Sequence, residues 1–353
     1  MISVFKHPTA RSTDPSPLLN YDGSGNTTPV LPFNYTVEGL TRDVYVKPLH
    51  SHNDYWRELP LFDALSIGAV SIESDVWYFP KSYKFVRTVT ETTSNTTEEE
   101  TRYFRNNEVY VGHNQVFLQP INTLFNLYLN PLYQFLNYVN PSFSWSDGSD
   151  NSQSPLLESP NSKHSVFYNS PEQPVYLWMD FKTSPNETYD AIKPLLQPFI
   201  DKGYLAYYDV DADKFVPGPV ILTITGNLPT EKVQAEKKRY TFLDGPLKIY
   251  KNDTPEADLI KWSKLSRVAS SSLQDLLTDK YNSSRTQEFD SDQKQRLKAI
   301  FDLAHKYNLK TRIWGDITWP YDLLDSHLKD YFQLGSDLLN VDDLKNAKDL
   351  FPN

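Results

Sequence analysis

The chain contains no cysteine. That absence removes disulfides, thiolate nucleophiles and thiolate-ligated zinc together, so any metal must sit among oxygen and imidazole ligands. Such ligands favour magnesium, calcium or manganese over structural zinc. Long apolar runs are also missing: none reaches the ~18 residues of a membrane span, so the sequence shows no transmembrane segment. The opening MISVFKHPTARSTDPSP has no apolar core of signal-peptide length. This leaves a cytoplasmic location, or a secretory or extracellular one whose leader lies outside this sequence. Positive charge is scarce as well. With 35 Lys and Arg against 45 Asp and Glu, the formal net charge is −10, which argues against nucleic acid because nothing offsets phosphate repulsion. A phosphate-bearing substrate stays compatible, since a bound cation can dominate the local field.

What is present is a folded globular composition, 39% hydrophobic and 14% aromatic, long enough to bury a large core. Six N-x-S/T sequons, at Asn26, Asn34, Asn95, Asn186, Asn252 and Asn282, would accept glycans in a secretory compartment. Residues 1–40 are rich in Pro, Ser, Thr and Asn without periodicity and read as a loose N-terminal arm. From residue 41 to 353 short β-rich runs alternate with helical patterns. The strand candidates are Val44–Leu49, Ala69–Trp77, Val109–Gly112, Val175–Asp180, Val220–Thr225, Arg267–Ser270, Thr311–Trp314 and Asp337–Val341. Helical stretches include Leu59–Ile67, Thr188–Lys202, Gln293–Tyr307 and Tyr321–Leu334. This alternation predicts βα units and a parallel sheet. Their number points to a single closed (β/α)8 TIM barrel, whose catalytic residues lie at the C-terminal strand ends. A doubly wound open sheet is the rival, weakened because no Gly-rich phosphate loop follows the first strand. Two polar insertions, near 88–105 and 142–165, interrupt the pattern. Between them, 114–144 is uncharged and dense in Leu, Phe and Tyr, reading as an amphipathic helix on the barrel or as a lipid-contacting flap.

Three short strings place pairs of polar residues two positions apart at the ends of strand-like runs: His50-Ser51-His52, Glu73-Ser74-Asp75 and Asp180-Phe181-Lys182. In a strand, positions i and i+2 face the same way, so each pair projects together. Two carboxylates on one buried strand face repel, and a divalent cation between them resolves the repulsion. The plainer alternative, an exposed acidic strand edge, fits poorly with the apolar GAVSI and VW around Glu73 and Asp75. An H-x-H string at a first strand end also opens two known histidine-rich metal sites. Both need further histidines at late strand ends, and His164, His305 and His327 lie in a polar loop or in helical patterns. Asn53 and Asp54 are, in addition, placed to cap a following helix.

Ser51-His52-Asn53-Asp54-Tyr55 resembles the S-H-N-x-Y segment of phosphatidylinositol-specific phospholipases C. The run Gly68 to Trp77, with Glu73 and Asp75, is similar to the second-strand E-x-D pattern shared with glycerophosphodiester phosphodiesterases. Val111-Gly112-His113, Asp180-Phe181-Lys182 and Leu338 to Asp343 fit later motifs of the same PLC-like phosphodiesterase superfamily. Together with Phe242-Leu243-Asp244-Gly245, the set most resembles the fungal "altered inheritance of mitochondria protein 6" family, across Val44 to Pro352. The resemblance implies a phosphoric diester hydrolase. His52 and His113 become the catalytic histidines and Lys182 a catalytic charge on the phosphate. Glu73, Asp75, Asp180 and Asn53 become ligands to one divalent cation, Mg2+ or Ca2+. His50 is an alternative first histidine, and with Trp314 a candidate substrate contact. The implied partner is a small-molecule or lipid phosphodiester, with peripheral membrane contact if it is a lipid. A lyase that forms a cyclic phosphate, and a non-catalytic barrel that binds lipid headgroups, are the competing readings.

Overall fold

The computed structural model describes residues 36–90, 97–141, 163–278 and 287–351. Sequons Asn26, Asn34, Asn95 and Asn282, most of the N-terminal arm and most of the 142–165 insertion lie outside these residues.

Runs of Val, Ile, Leu and aromatic residues form the strands, as β-propensity dictates. Those of the barrel are β1 (Lys47–Ser51), β2 (Ala69–Tyr78), β6 (Val175–Phe181), β9 (Val220–Gly226), β11 (Thr241–Leu243), β12 (Gly245–Pro246), β13 (Val268–Ser272), β14 (Lys310–Trp314) and β15 (Leu338–Val341). The others are β3 (Tyr83–Thr90), β4 (Thr97–Phe104), β5 (Val109–Val111), β7 (Tyr207–Asp209), β8 (Lys214–Val216) and β10 (Lys238–Arg239). Around the sheet the order is β11-β9-β6-β2-β1-β15-β14-β13-β12, all parallel. Only Asp244 separates β11 from β12. Thr241–Pro246 is therefore one interrupted strand that touches both ends of the sheet and closes an eight-membered ring, a TIM-like barrel.

The ring corrects one expectation. Val109–Gly112 was expected as a barrel strand, but β5 runs antiparallel to the outer end of β2, pairing Val111 with Val76 and Val109 with Tyr78. Its place in the ring is taken by Thr241–Pro246. β3 and β4 form an antiparallel hairpin before it. The uncharged segment forms a π-helical turn, Phe125–Leu129, running into a helix, Asn130–Val139, that buries Leu132, Tyr133, Phe135 and Leu136 in the core.

Helices cover the barrel and their ends are written in the sequence. Ser291–Lys306 opens with a capping box, Asp290 accepting from Gln293 N while Gln293 Oε1 accepts from Asp290 N. Tyr321–Leu334 ends at Gly335, whose φ of +103° is the left-handed stop that glycine supplies without strain. Asn53, in contrast, caps nothing: it takes φ +49° before the short turn Asp54–Trp56, and its side chain makes no cap hydrogen bond. Among the described residues, no helix is long and apolar enough to cross a membrane.

Candidate active site

The register of three neighbouring strands assembles the acidic cluster. Asp75 on β2 pairs directly with Asp180 on β6, and Glu73 lies two residues earlier on the same face of β2. Ligand atoms of Glu73, Asp75 and Asp180 all fall within 4.8 Å of one another. Gly226, at the end of β9, makes room for Asp180: a Cβ there would lie 2.0 Å from Asp180 Oδ1.

Each carboxylate has a different compensation. Glu73 is buried between Arg312 Nη2, at 3.5 Å, and His50 Nε2, at 3.2 Å. Burial alone would raise it, but Arg312 and His50 hold it well below the ordinary carboxylate range. Burial pushes Asp75 up to about 6, against the pull of Lys182 and with the added push of Asp180 and Glu73. The Lys182 ammonium lies 2.7 Å from Asp180 Oδ2 and 3.1 Å from Asp75 Oδ2. Burial works against its charge, but the two carboxylates more than offset that and raise its affinity for the proton. Three adjacent oxygen donors with negative charge left over fit a hard divalent cation.

The two histidines of the H-x-H string separate. His50 is fully buried beneath Glu73, with its ring edge-on to Trp178 at 5.2 Å between centroids. Burial, aided by Arg312, pushes it down to about 3, so it is a neutral imidazole. Nε2–H then donates to Glu73, and Nδ1 accepts from Ser71 Oγ at 2.7 Å. The expected substrate contact is therefore placed behind the site and out of reach of solvent. His52, a third exposed, is at the mouth. Its Nδ1 donates to Asp342 Oδ1 at 2.7 Å, which leaves Nε2 toward the cavity, 3.7 Å from Glu73 Oε2. Arg57 fixes this corner by donating to the carbonyls of Asp342 and His52.

His113 follows β5, and β2 positions it. Gly112 N donates to the Asp75 carbonyl at 3.1 Å and Trp77 Nε1 donates to the Gly112 carbonyl at 2.6 Å. The Tyr55 hydroxyl lies 2.5 Å from Asn53 Oδ1, 2.8 Å from Asp75 Oδ2 and 3.2 Å from His113 Nδ1. Burial and Asp75 push that phenol far above its ordinary range, so it keeps its proton and gives it to an oxygen. Its lone pair then accepts from His113 Nδ1, and Nε2 of His113 faces outward. Asn53 Oδ1 is thus turned to Tyr55, one residue removed from the carboxylates. A cavity of about 700 Å³ opens over this floor, with His52, Glu73, Asp180, Asp244, Arg312 and Trp314 in its wall.

Sequence reasoning did not assign Tyr55, Ser71, Arg312 or Asp342. Arg312 had a visible signal, a cation in the middle of the strand run KTRIW. Asp342 also had one, a carboxylate at the last strand end.

Residues 38–102 and 96–244 match the AIM6-like phosphodiesterase domain. The chain is similar to "altered inheritance of mitochondria protein 6" of Saccharomyces cerevisiae strain S288c, with 35% identity over 338 residues, 91% of this chain and 75% of the relative. The proteins of that name from Eremothecium gossypii and Zygosaccharomyces rouxii are 35% and 34% identical, each over 89% of this chain and 72% of the relative. No solved structure gives a significant match.

Proposed function

The chain belongs to the AIM6-like phosphodiesterase family, and from that premise we propose that it is a metal-dependent phosphoric diester hydrolase acting on a glycerophosphodiester or a phospholipid headgroup. The observation that carries this reading is the meeting of Glu73, Asp75 and Asp180 within 4.8 Å beside Lys182, with His52 and His113 on either flank. Glu73, Asp75 and Asp180 would hold Mg2+ or Ca2+, with Asn53 in reach after a turn away from Tyr55. When bound, such an ion stabilises negative charge growing on the phosphoryl oxygens.

The chain's own groups do the rest. His52, oriented by Asp342, takes the proton of the nucleophile on Nε2. His113, held through Nδ1 by Tyr55, delivers a proton from Nε2 to the leaving alkoxide. Each such step typically supplies ~10²–10⁴-fold. Lys182 sets a compact positive charge against the phosphate. A lipid substrate is supported by Trp56, Val116 and Phe117, which are 59%, 70% and 64% exposed around His113 and suit peripheral contact with a bilayer.

Phosphorus NMR of glycerophosphodiesters and phospholipids incubated with the protein tests this directly. A phosphomonoester product, lost with chelator and in His52→Ala and Glu73→Ala, is the expected result. A cyclic phosphodiester would assign a lyase. Turnover undiminished in both variants would remove the catalytic assignment.

A further inference from the structure

At the opposite end of the barrel, where the strands begin, a second cavity of about 370 Å³ is lined by Tyr176, Phe215, Arg267, His305, Asn308 and Lys310, with Asp337 beside them and Glu172 at the edge. Arg267 precedes β13 and is half-buried. Its guanidinium carbon lies over the Phe215 ring, 4.2 Å from the centroid, and Nη2 donates to the Asn308 carbonyl at 3.1 Å. Among the described residues it forms no ion pair. Burial lowers its proton affinity, and only the Tyr176 and Tyr208 phenols oppose that. The half-buried Asp337 nearby is already committed. It holds His305 Nε2 at 2.7 Å and Lys310 Nζ at 3.0 Å, and accepts from Thr311 N at 2.9 Å.

A guanidinium drawn out of water without a counter-ion is costly, and most of its five N–H donors are unused here. The charge beside it does not help, because Asp337 is shared between Lys310 and His305. The cavity wall sets Arg267 and Lys310 against Asp337 and Glu172, and of the two cations only Arg267 makes no ion pair among the described residues. With one N–H given to the Asn308 carbonyl, the guanidinium keeps further donors, and a guanidinium can grip two oxygens of a carboxylate or phosphate at once.

We propose that this cavity is a binding site for a small oxyanion, a phosphate or a carboxylate, with Arg267 as its principal ligand and the Tyr176 hydroxyl as a second donor. It lies at the end of the barrel remote from the acidic cluster and is independent of the phosphodiesterase reading.

The test is thermal unfolding of the full chain with inorganic phosphate, and separately with acetate, at ionic strength held constant with chloride. Lys182→Met removes phosphate bound at the catalytic end, and Arg267→Met removes the proposed site. Phosphate or acetate should raise the midpoint of wild type and of Lys182→Met, and the rise should vanish when Arg267→Met is added to Lys182→Met. Titration calorimetry should show affinity falling at least about tenfold in Arg267→Met, the effect expected for losing a charge-assisted bidentate contact. Which anion gives the larger rise identifies the class. If Arg267→Met does not fold, Tyr176→Phe carries the test, with a fall of about threefold expected. An equal rise in Lys182→Met with and without Arg267→Met, or no rise in Lys182→Met with either anion, overturns the site.

Discussion

At the end of β1, His52 commits one ring nitrogen to Asp342 and leaves the other 3.7 Å from Glu73. An imidazole without that anchor is free to turn its lone pair away from the cavity. Asp342→Ala should therefore lower kcat about tenfold to hundredfold, part of what a positioned proton acceptor supplies, while KM stays within about twofold. Asp342→Asn keeps an acceptor for Nδ1–H and should recover part of the loss, which steady-state kinetics of the two variants will reveal. Gly226 sets a different limit. Its φ is +70° and an added Cβ would meet Asp180 Oδ1 at 2.0 Å and the Phe181 carbonyl at 2.8 Å. Gly226→Ala should displace Asp180 and weaken Mg2+ or Ca2+ binding by calorimetry, with a stability loss of about 1–3 kcal/mol from the strained backbone.

The helix Tyr321–Leu334 ties two loops together through His327. The ring stacks on Phe289 at 3.9 Å, with Nδ1 2.9 Å from Asp316 Oδ2 and Nε2 3.0 Å from the Gln287 carbonyl. Both partners are acceptors, so the protonated ring can donate from both nitrogens. Burial opposes this charge, but Asp316 and Gln287 outweigh it and raise the folded pKa. A raised histidine gives its full stabilisation below the unfolded value of about 6.5 and loses it as pH climbs through the folded one. The difference in melting midpoint between wild type and His327→Gln should thus be larger at pH 6 than at pH 9. An equal difference at both would mean the ring is neutral.

Elements of this size were largely legible. The parallel strands show as apolar runs, and Tyr321–Leu334 sits where its pattern placed it. The misplaced strand had a physical reason: VYV at 109–111 is apolar in either direction, and nothing local tells a parallel neighbour from an antiparallel one. Thr241–Pro246 hid for the opposite reason, because Asp244, Gly245 and Pro246 read as a turn although the barrel uses them to close.

For the whole molecule, the acidic cluster links binding to stability. A cation held by the folded chain and not by the unfolded one stabilises by RT ln(1 + [L]/Kd), about 2.7 kcal/mol at a hundredfold excess over Kd. Mg2+ or Ca2+ should raise the melting midpoint of wild type and leave Asp75→Asn unmoved; scanning calorimetry with and without chelator decides it. Part of the site was legible where spacing along a strand reports direction, as in Glu73 with Asp75 and Asp180 with Lys182, while His52 and His113 were named by motif resemblance. Contacts made across the barrel were not legible: His52 and Asp342 are 290 positions apart, and no local pattern joins them.

β2 is the longest strand among the described residues, at ten residues, and its outer end leaves the ring to pair with β5. Glu73, Asp75 and the anchor of His113 thus share one backbone, like marks on a single ruler. Arg102 and Phe104 of β4 brace the chain on either side of His113, through the Leu118 carbonyl and the Tyr110 ring. A change in that hairpin should therefore reach His113, and the two stretches of family similarity, 38–102 and 96–244, overlap within it.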